Sequence, residues 1–167
     1  MRRLLSTPNS YSLLLVRLAL GCVMFAHGAQ KMLGWWDGRG FEATMRSFEA
    51  QGFPAFFACL AIIAEFFGGI GLILGFLSRI AAFGVLCNMV VAVVKVHAQN
   101  GFFMNWTSAP HGEGFEYHIL AIGMALAIMI GGAGALSVDR ALTRPGAPTG
   151  WPRSKDRREA LPGTSAA

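Results

Sequence analysis

Residues 53–77 read FPAFFACLAIIAEFFGGIGLILGFL, an apolar run whose single charged side chain, Glu65, lies at its midpoint. A helix needs about 20 residues to cross the roughly 30 Å hydrocarbon core of a bilayer, and this run is long enough. An ionisable side chain at that depth costs at least about 2.5 kcal/mol unless it faces protein and a partner. The run therefore predicts a membrane-spanning helix that directs a polar group into a helix bundle.

Three further apolar segments, residues 12–33, 80–97 and 115–136, have comparable length. Hydrophobic residues make up 54% of the 167-residue chain, charged residues make up only 14%, and the mean hydropathy is +0.49. Such a composition is too apolar for a surface that faces water. The sequence predicts an all-α membrane protein, a four-helix transmembrane bundle in contact with the lipid bilayer.

The connecting segments predict the remaining organisation. Residues 34–52 place Phe41, Met45 and Phe48 at helical spacing among charges, which favours a short interfacial helix between helices one and two. Residues 98–114 are rich in aromatics and glycine and predict a structured cap. We expect a membrane domain over residues 11–138, preceded by a short N-terminus, 1–10, and followed by a disordered basic tail, 139–167.

The distribution of basic residues predicts the orientation of the bundle. In a four-helix arrangement, nine Lys and Arg residues lie outside the helices on the side of the termini, against four on the other side. Cytoplasmic loops hold such an excess, so both termini are expected to be cytoplasmic. The nine are Arg2, Arg3, Arg79, Arg140, Arg144, Arg153, Lys155, Arg157 and Arg158; the four are Lys31, Arg39, Arg46 and Lys95. The sequence has no basic amphipathic stripe, so we expect no nucleic-acid partner.

Ionisable side chains inside the spans predict a polar interior. Arg17, His27 and Lys31 fall on one face of the first helix at 100° per residue. Depth along the helices suggests that either Arg17 or His27 reaches Glu65. The alternative is a purely structural role, in which the basic residues near the helix ends extend to the membrane surface and Glu65 belongs to a structural ion pair.

Further polar residues are expected in the half of the bundle away from the termini. Together they suit a pocket for the polar head group of a lipid-soluble molecule. They are Asn88, Lys95 and His97 on the third helix, Asn105 and Trp106 in the cap, and Glu113, Glu116, Tyr117 and His118 around the start of the fourth helix. The glutamates could instead be N-terminal charges favoured by the helix dipole.

Cysteine and histidine spacing gives little indication of a bound metal. Cys22, Cys59 and Cys87 occupy three different spans without a CxxC pair, which disfavours a dithiol relay. No two of the four histidines stand at i and i+4, so we expect no metal site, and haem is less favoured than a quinone.

The segments VRLALGCVMFAHGAQKMLGW, AIIAEFFGGIGLILGFLSR and VHAQNGFFMNW, with GEGFEYHILAIG after them, resemble the DoxX family of small bacterial inner-membrane proteins. The resemblance covers residues 11–142. It matches Arg17, His27, Gly28, Lys31, Glu65, Gly68, Gly69, Gly75, Ser78 and Arg79 to the family pattern, followed by His97, residues 100–106 and residues 113–118.

The resemblance implies a bacterial inner-membrane location and a link to quinone chemistry, because the family name derives from a relationship to a subunit of a thiosulfate:quinone oxidoreductase. The hypothesis is a subunit of a quinone-linked redox system, which leaves open whether the chain itself is an enzyme. His27, Glu65 and Glu116 would manage protons as catalytic residues. The ligand-binding residues would be Arg17, Lys31, Asn88, Lys95, His97, Asn105, Trp106, Tyr117 and His118.

Electrons would need a redox partner subunit or the quinone, since no residue pattern here transfers them alone. Two other functions stay open at this point. One is a small transporter or channel component, for which four helices enclose little volume unless the chain forms a homo-oligomer. The other is a non-catalytic assembly subunit whose buried charges only fix the helix register.

Overall fold

A computed structural model describes residues 5–106 and 112–143. These residues form helices and connecting turns without a β-strand. The helices are α1 (Tyr11–Met32), α2 (Gly40–Ala50), α3 (Ala55–Leu74), α4 (Ser78–Ala92), α5 (Glu116–Gly131) and α6 (Val138–Thr143). A π-helical turn, Val93–His97, and a 3-10 turn, Ala98–Asn100, extend α4.

The all-α membrane fold is confirmed. In the described part of the chain, three helical stretches are long and apolar enough to cross a bilayer: α1, α3, and α4 with its extension to Asn100. The fourth span is shorter than predicted, because α5 ends at Gly131 and the chain turns sharply at Gly132, which has φ +86°. Large apolar side chains such as Phe56, Phe67 and Ile130 point outward, where lipid is their natural solvent.

The four apolar helices form a closed ring in which α1 packs on α3, α3 on α4, α4 on α5, and α5 on α1. Gly75, at φ +69°, ends α3 and leaves a short connection that makes α3 and α4 an antiparallel hairpin, as predicted. The predicted helix between the first two spans is confirmed as α2, which packs against α1 and α3. Buried Leu20, Met24, Leu72, Val85 and Ile128 belong to the apolar core of the ring.

Both described ends of the chain meet at one end of the bundle, which we call the terminal end. Ala135 donates its backbone N–H to Ser10 O, and Gly134 donates to Thr7 Oγ1. Arg79, at the start of α4, donates to Ser6 O and to Met129 O. The opposite end, where α2 lies, is called the α2 end.

The predicted start of the disordered tail at Asp139 is wrong, because residues 138–143 form α6. The Asp139 carboxylate is 1% exposed and accepts hydrogen bonds from Leu77 N at 2.7 Å and Ser78 N at 2.9 Å. These amides open α4 and have no partner within it, so Asp139 acts as a helix cap supplied from another part of the chain. The rest of the predicted tail, 144–167, lies outside the described residues, as do residues 1–4 and, in the cap, 107–111.

Candidate functional site

A buried ion pair lies in the middle of the membrane domain. Lys31 Nζ lies 2.6 Å from each carboxylate oxygen of Glu65, and Asn88 Nδ2 donates to Glu65 Oε1 at 2.8 Å. The side chain of Glu65 is 5% exposed, whereas that of Lys31 is 32% exposed. Helices α1, α3 and α4 therefore each supply one member of a hydrogen-bonded triad around a single carboxylate.

The expectation that Arg17 reaches Glu65 is wrong, and the cation paired with Glu65 is Lys31. Side chains on a helix lean towards its N-terminus, so Lys31 in the last turn of α1 reaches back to mid-helix. The same tilt directs Arg17 away from Glu65 and towards the terminal end. Depth along the helix axis alone does not include this lean.

Arg17 instead binds backbone oxygens at the terminal end. Its guanidinium is fully buried and donates to the carbonyls of five residues. These are Leu72, Ile73, Ala133, Ala135 and Leu136. Leu72 and Ile73 belong to the last turn of α3, where carbonyls have no partner within the helix and a cation is favoured by the helix dipole. Arg17 is therefore not part of the site around Glu65.

Two glycines let α1 and α3 approach closely enough for the ion pair to form. A Cβ atom on Gly28 would meet the backbone of Phe66, and one on Gly69 would meet the backbone of Phe25 at 2.5 Å. Close approach through small residues is a common way for membrane helices to pack. Gly28 lies one helical turn before Lys31, and Phe66 directly follows Glu65. The contact between Gly28 and Phe66 therefore also sets the distance between the two charges.

A row of aromatic and imidazole rings continues the site from α1 to α4. The ring centroids of His27 and Tyr117 are 6.3 Å apart, those of Tyr117 and His118 are 5.4 Å apart, and those of His118 and His97 are 4.1 Å apart. His27 and Tyr117 both lie within electrostatic range of Glu65. We call Lys31, Glu65, Asn88, His27, Tyr117, His118 and His97 the polar cluster.

Two buried polar atoms of the polar cluster have no hydrogen-bond partner within residues 5–106 and 112–143. They are Tyr117 Oη and His118 Nδ1, and His118 is only 6% exposed. An unsatisfied buried polar group costs about 1–3 kcal/mol, and such groups usually meet a partner from outside the chain. The phenol can donate a hydrogen bond, and the imidazole nitrogen can donate or accept one according to its tautomer.

The polar cluster is open to the side of the bundle at His27. This side chain is exposed on α1, next to the seam between α1 and α5, which is the smallest interface in the helix ring. In a bilayer this seam faces acyl chains. A lipid-soluble molecule could therefore contact His27 and Tyr117 without first entering water.

The structure does not bring Lys95 into the polar cluster. Lys95 is exposed and lines a separate cavity of about 480 Å³ with Pro54, Phe57 and Gln99. The π-helical turn that begins at Val93 is wider than an α-helical turn, so residues after it leave the face that α-helical periodicity gives them. The face shared by Asn88 and Lys95 in the sequence prediction is lost at this turn.

The predicted residues of the cap are engaged with the backbone or exposed. Glu116 Oε1 accepts from Met104 N at 2.9 Å, and Glu113 Oε2 accepts from Asn105 N at 2.6 Å. Both carboxylates thereby fasten the cap to the start of α5. Trp106 is 84% exposed, away from the polar cluster.

Over residues 5–106 and 112–143, no group of three or more His, Cys, Asp or Glu side chains is arranged to hold a metal ion. The polar cluster unites seven side chains from four separate helical stretches, and its chemistry is that of hydrogen-bond donors around one carboxylate. It can bind a polar head group and hold a proton.

Comparison with known proteins gives one family and several curated relatives. The family model described as DoxX matches residues 12–98. "Inner membrane protein YqjF" of Escherichia coli is 30% identical over 111 residues, which cover 66% of this chain and 81% of that protein. "Uncharacterized membrane protein Rv3486" of Mycobacterium tuberculosis is 34% identical over 154 residues, which cover 85% of this chain and 88% of that protein.

A third relative has a name that mentions redox chemistry. "Putative oxidoreductase CatD" of Bacillus subtilis is 27% identical over 115 residues, which cover 69% of this chain and 76% of that protein. No solved structure matches the chain.

Proposed function

The chain belongs to the DoxX family, and on that premise we propose that it is an inner-membrane subunit of a quinone-linked redox system whose polar cluster binds the quinone head group. The observation that supports this most directly is the pair of unsatisfied buried atoms, Tyr117 Oη and His118 Nδ1, on adjacent residues of the polar cluster. The redox term in the name of the Bacillus subtilis relative is consistent with it.

The residues present fit a quinone head group. Its two carbonyl oxygens need hydrogen-bond donors, and a phenol and an imidazole lie together on α5 without partners of their own. When bound, a quinone would supply two-electron chemistry that is coupled to protons. The open seam at His27 would give such an apolar molecule access from the bilayer.

The side chains of the polar cluster would divide the work between binding and proton handling. Tyr117 and His118 would bind and orient the head group, and Glu65 would hold or release a proton. Lys31 would stabilise the Glu65 carboxylate, and Asn88 would fix the orientation of that carboxylate.

Electrons would come from a partner subunit. Cys22, Cys59 and Cys87 are all free thiols and lie on three different helices, α1, α3 and α4. No disulfide joins them.

The experiment that tests this proposal compares two Tyr→Phe variants. Short-chain ubiquinone and menaquinone analogues would be titrated by calorimetry into the protein in lipid nanodiscs. Tyr117→Phe removes only the unsatisfied hydroxyl, so we expect binding to weaken about three- to tenfold. Tyr11→Phe, at a residue that is 64% exposed at the terminal end, is the matched control and should bind like the native protein.

A His118→Phe variant tests the second donor and should weaken binding by a similar factor. The proposal fails if the native protein shows no saturable quinone binding, or if both α5 variants bind as tightly as Tyr11→Phe. A Soret band in the spectrum of the purified protein would replace quinone with haem.

A further inference from the structure

The two ends of the bundle differ in what separates the polar cluster from water. At the α2 end lies a cavity of about 340 Å³, room for about ten water molecules at the volume each takes in the liquid. Its lining includes the polar residues Gln30, Lys31, Asp37, Arg39, Thr44 and Ser47. We call it the α2 cavity.

Lys31 belongs both to the α2 cavity and to the polar cluster. Lys31 lines the cavity, and its ammonium nitrogen lies 2.6 Å from both oxygens of Glu65. Its partial exposure, 32% against 5% for Glu65, fits a side chain that stands between water and a buried carboxylate. A proton on Lys31 is thus one hydrogen bond from Glu65, on a residue that also lines the α2 cavity.

On the other side of Glu65 the bundle is filled with apolar side chains. Leu20, Met24, Leu72, Val85 and Ile128 are at most 1% exposed and occupy the interior between the triad and the terminal end. Beyond them the Arg17 guanidinium is fully buried among the carbonyls that it binds. Close-packed apolar cores exclude water, so this half of the bundle is a barrier to protons.

We propose that the α2 cavity is the aqueous entry through which the polar cluster exchanges protons with only one side of the membrane, and that Lys31 relays protons between the two. The source of the protons rests on the proposed function, whereas the route through the α2 cavity does not. For release, the Lys31 ammonium ion passes a proton to a cavity water, which leaves a neutral amine and forms hydronium. The protonated Glu65 carboxyl then passes its proton to that amine, which restores the carboxylate and the ammonium ion of the pair.

Cysteine accessibility in lipid vesicles tests the route without any quinone. On a background in which the three native cysteines are replaced by serine, the test compares Asn88→Cys with Val85→Cys. These residues are about one turn apart on α4, one in the triad and the other in the apolar barrier. The probe is a small, membrane-impermeant cationic methanethiosulfonate, added from one side at a time. Ala50→Cys and Ala141→Cys, both at exposed positions, mark the α2 end and the terminal end.

We expect Asn88→Cys to react from the side that modifies Ala50→Cys, at least tenfold faster than Val85→Cys reacts from either side. Reaction of Asn88→Cys from the Ala141→Cys side, or at the rate of Val85→Cys, would overturn the proposal. If Asn88→Cys does not fold, modification of native Glu65 by a quaternary-ammonium carbodiimide, located by mass spectrometry, replaces it. Modification of Glu65 only from the α2 side supports the entry; modification from the terminal side or from neither side overturns it.

The outcome is separable from that of the quinone titration. If the protein does not bind quinone, the expected labelling pattern stays the same. Labelling from the wrong side would overturn the entry and leave the Tyr117→Phe result as it stands.

Discussion

At the scale of single residues, the Lys31–Glu65 pair should show strong energetic coupling. Lys31→Met leaves a buried carboxylate without its cation, so we expect a loss of about 3–5 kcal/mol in the free energy of unfolding. The double variant Lys31→Met with Glu65→Gln removes both charges and should recover most of that loss. Reversible unfolding of the native protein, the two single variants and the double variant in mixed detergent micelles gives four free energies and hence the coupling energy.

Lys95→Met is the matched control, since Lys95 is exposed and outside the polar cluster. It should change the stability by less than about 0.5 kcal/mol. Additive losses in the double variant would contradict a direct contact between Lys31 and Glu65.

The sequence was sufficient to predict that Glu65 faces a polar interior, because the cost of an unpaired carboxylate in hydrocarbon decides this wherever the helix lies. It was not sufficient to choose the cation. Three basic residues share one face of α1, and the choice depends on the lean of each side chain and on the close contact at Gly28. These are properties of the packed pair α1 and α3, not of either helix alone.

At the scale of helices, two adjacent glycines of α3 should respond differently to the same substitution. A Cβ on Gly69 would meet Phe25 N at 2.5 Å, whereas the nearest atom to a Cβ on Gly68 is Ala81 O at 3.7 Å. Gly69→Ala must push α1 away from α3 and should destabilise the protein by about 1–3 kcal/mol. Gly68→Ala fits the space and should be neutral or stabilising by up to about 1 kcal/mol, because alanine favours the helix. The midpoint of thermal unfolding in micelles reports both.

The separation of α1 from α3 in Gly69→Ala should also lengthen the Lys31–Glu65 contact. We therefore expect weaker coupling between these charges when the double-variant cycle is repeated in the Gly69→Ala background. A Gly68→Ala protein that unfolds as early as Gly69→Ala would show that general helix propensity, rather than contact with Phe25, governs both sites.

A second prediction at this scale concerns the cap of α4. Asp139→Ala leaves the amides of Leu77 and Ser78 without their acceptor and should cost about 1–2 kcal/mol. Asp139→Asn keeps one acceptor oxygen and should lose less. Hydrogen exchange at the first turn of α4, measured by mass spectrometry, should rise in the alanine variant and change little in α3; a uniform rise would contradict a local cap.

The sequence located the spans but could not reveal two details of these elements. Asp139 lies in a polar stretch that is typical of a tail, and only the tertiary contact with the start of α4 gives it a partner. The π-helical turn at Val93–His97 has no marker in the residue pattern, yet it decides that His97 joins His118 while Lys95 faces another cavity. Glu113 and Glu116 were likewise visible as polar residues, although their hydrogen bonds to the cap were not.

At the scale of the whole molecule, hydropathy alone predicts the architecture, because a bilayer permits few ways to satisfy the backbone of apolar segments. The closed ring and the meeting of both described ends at one end of the bundle follow from four spans joined in sequence. Which end faces the cytoplasm depends on charge instead. Residues 1–4 and 144–167, which continue from the chain ends that meet at the terminal end, contain seven Lys and Arg residues, so we predict that this end is cytoplasmic.

Labelling in intact bacterial spheroplasts tests this orientation with a matched pair of substitutions. On the cysteine-free background, Ala50→Cys should react with an impermeant maleimide in intact spheroplasts, and Ala141→Cys only after lysis. The prediction fails if the pattern is reversed. A reversed pattern would also place the α2 cavity on the cytoplasmic side, so the same pair of variants determines in which direction the polar cluster would release a proton.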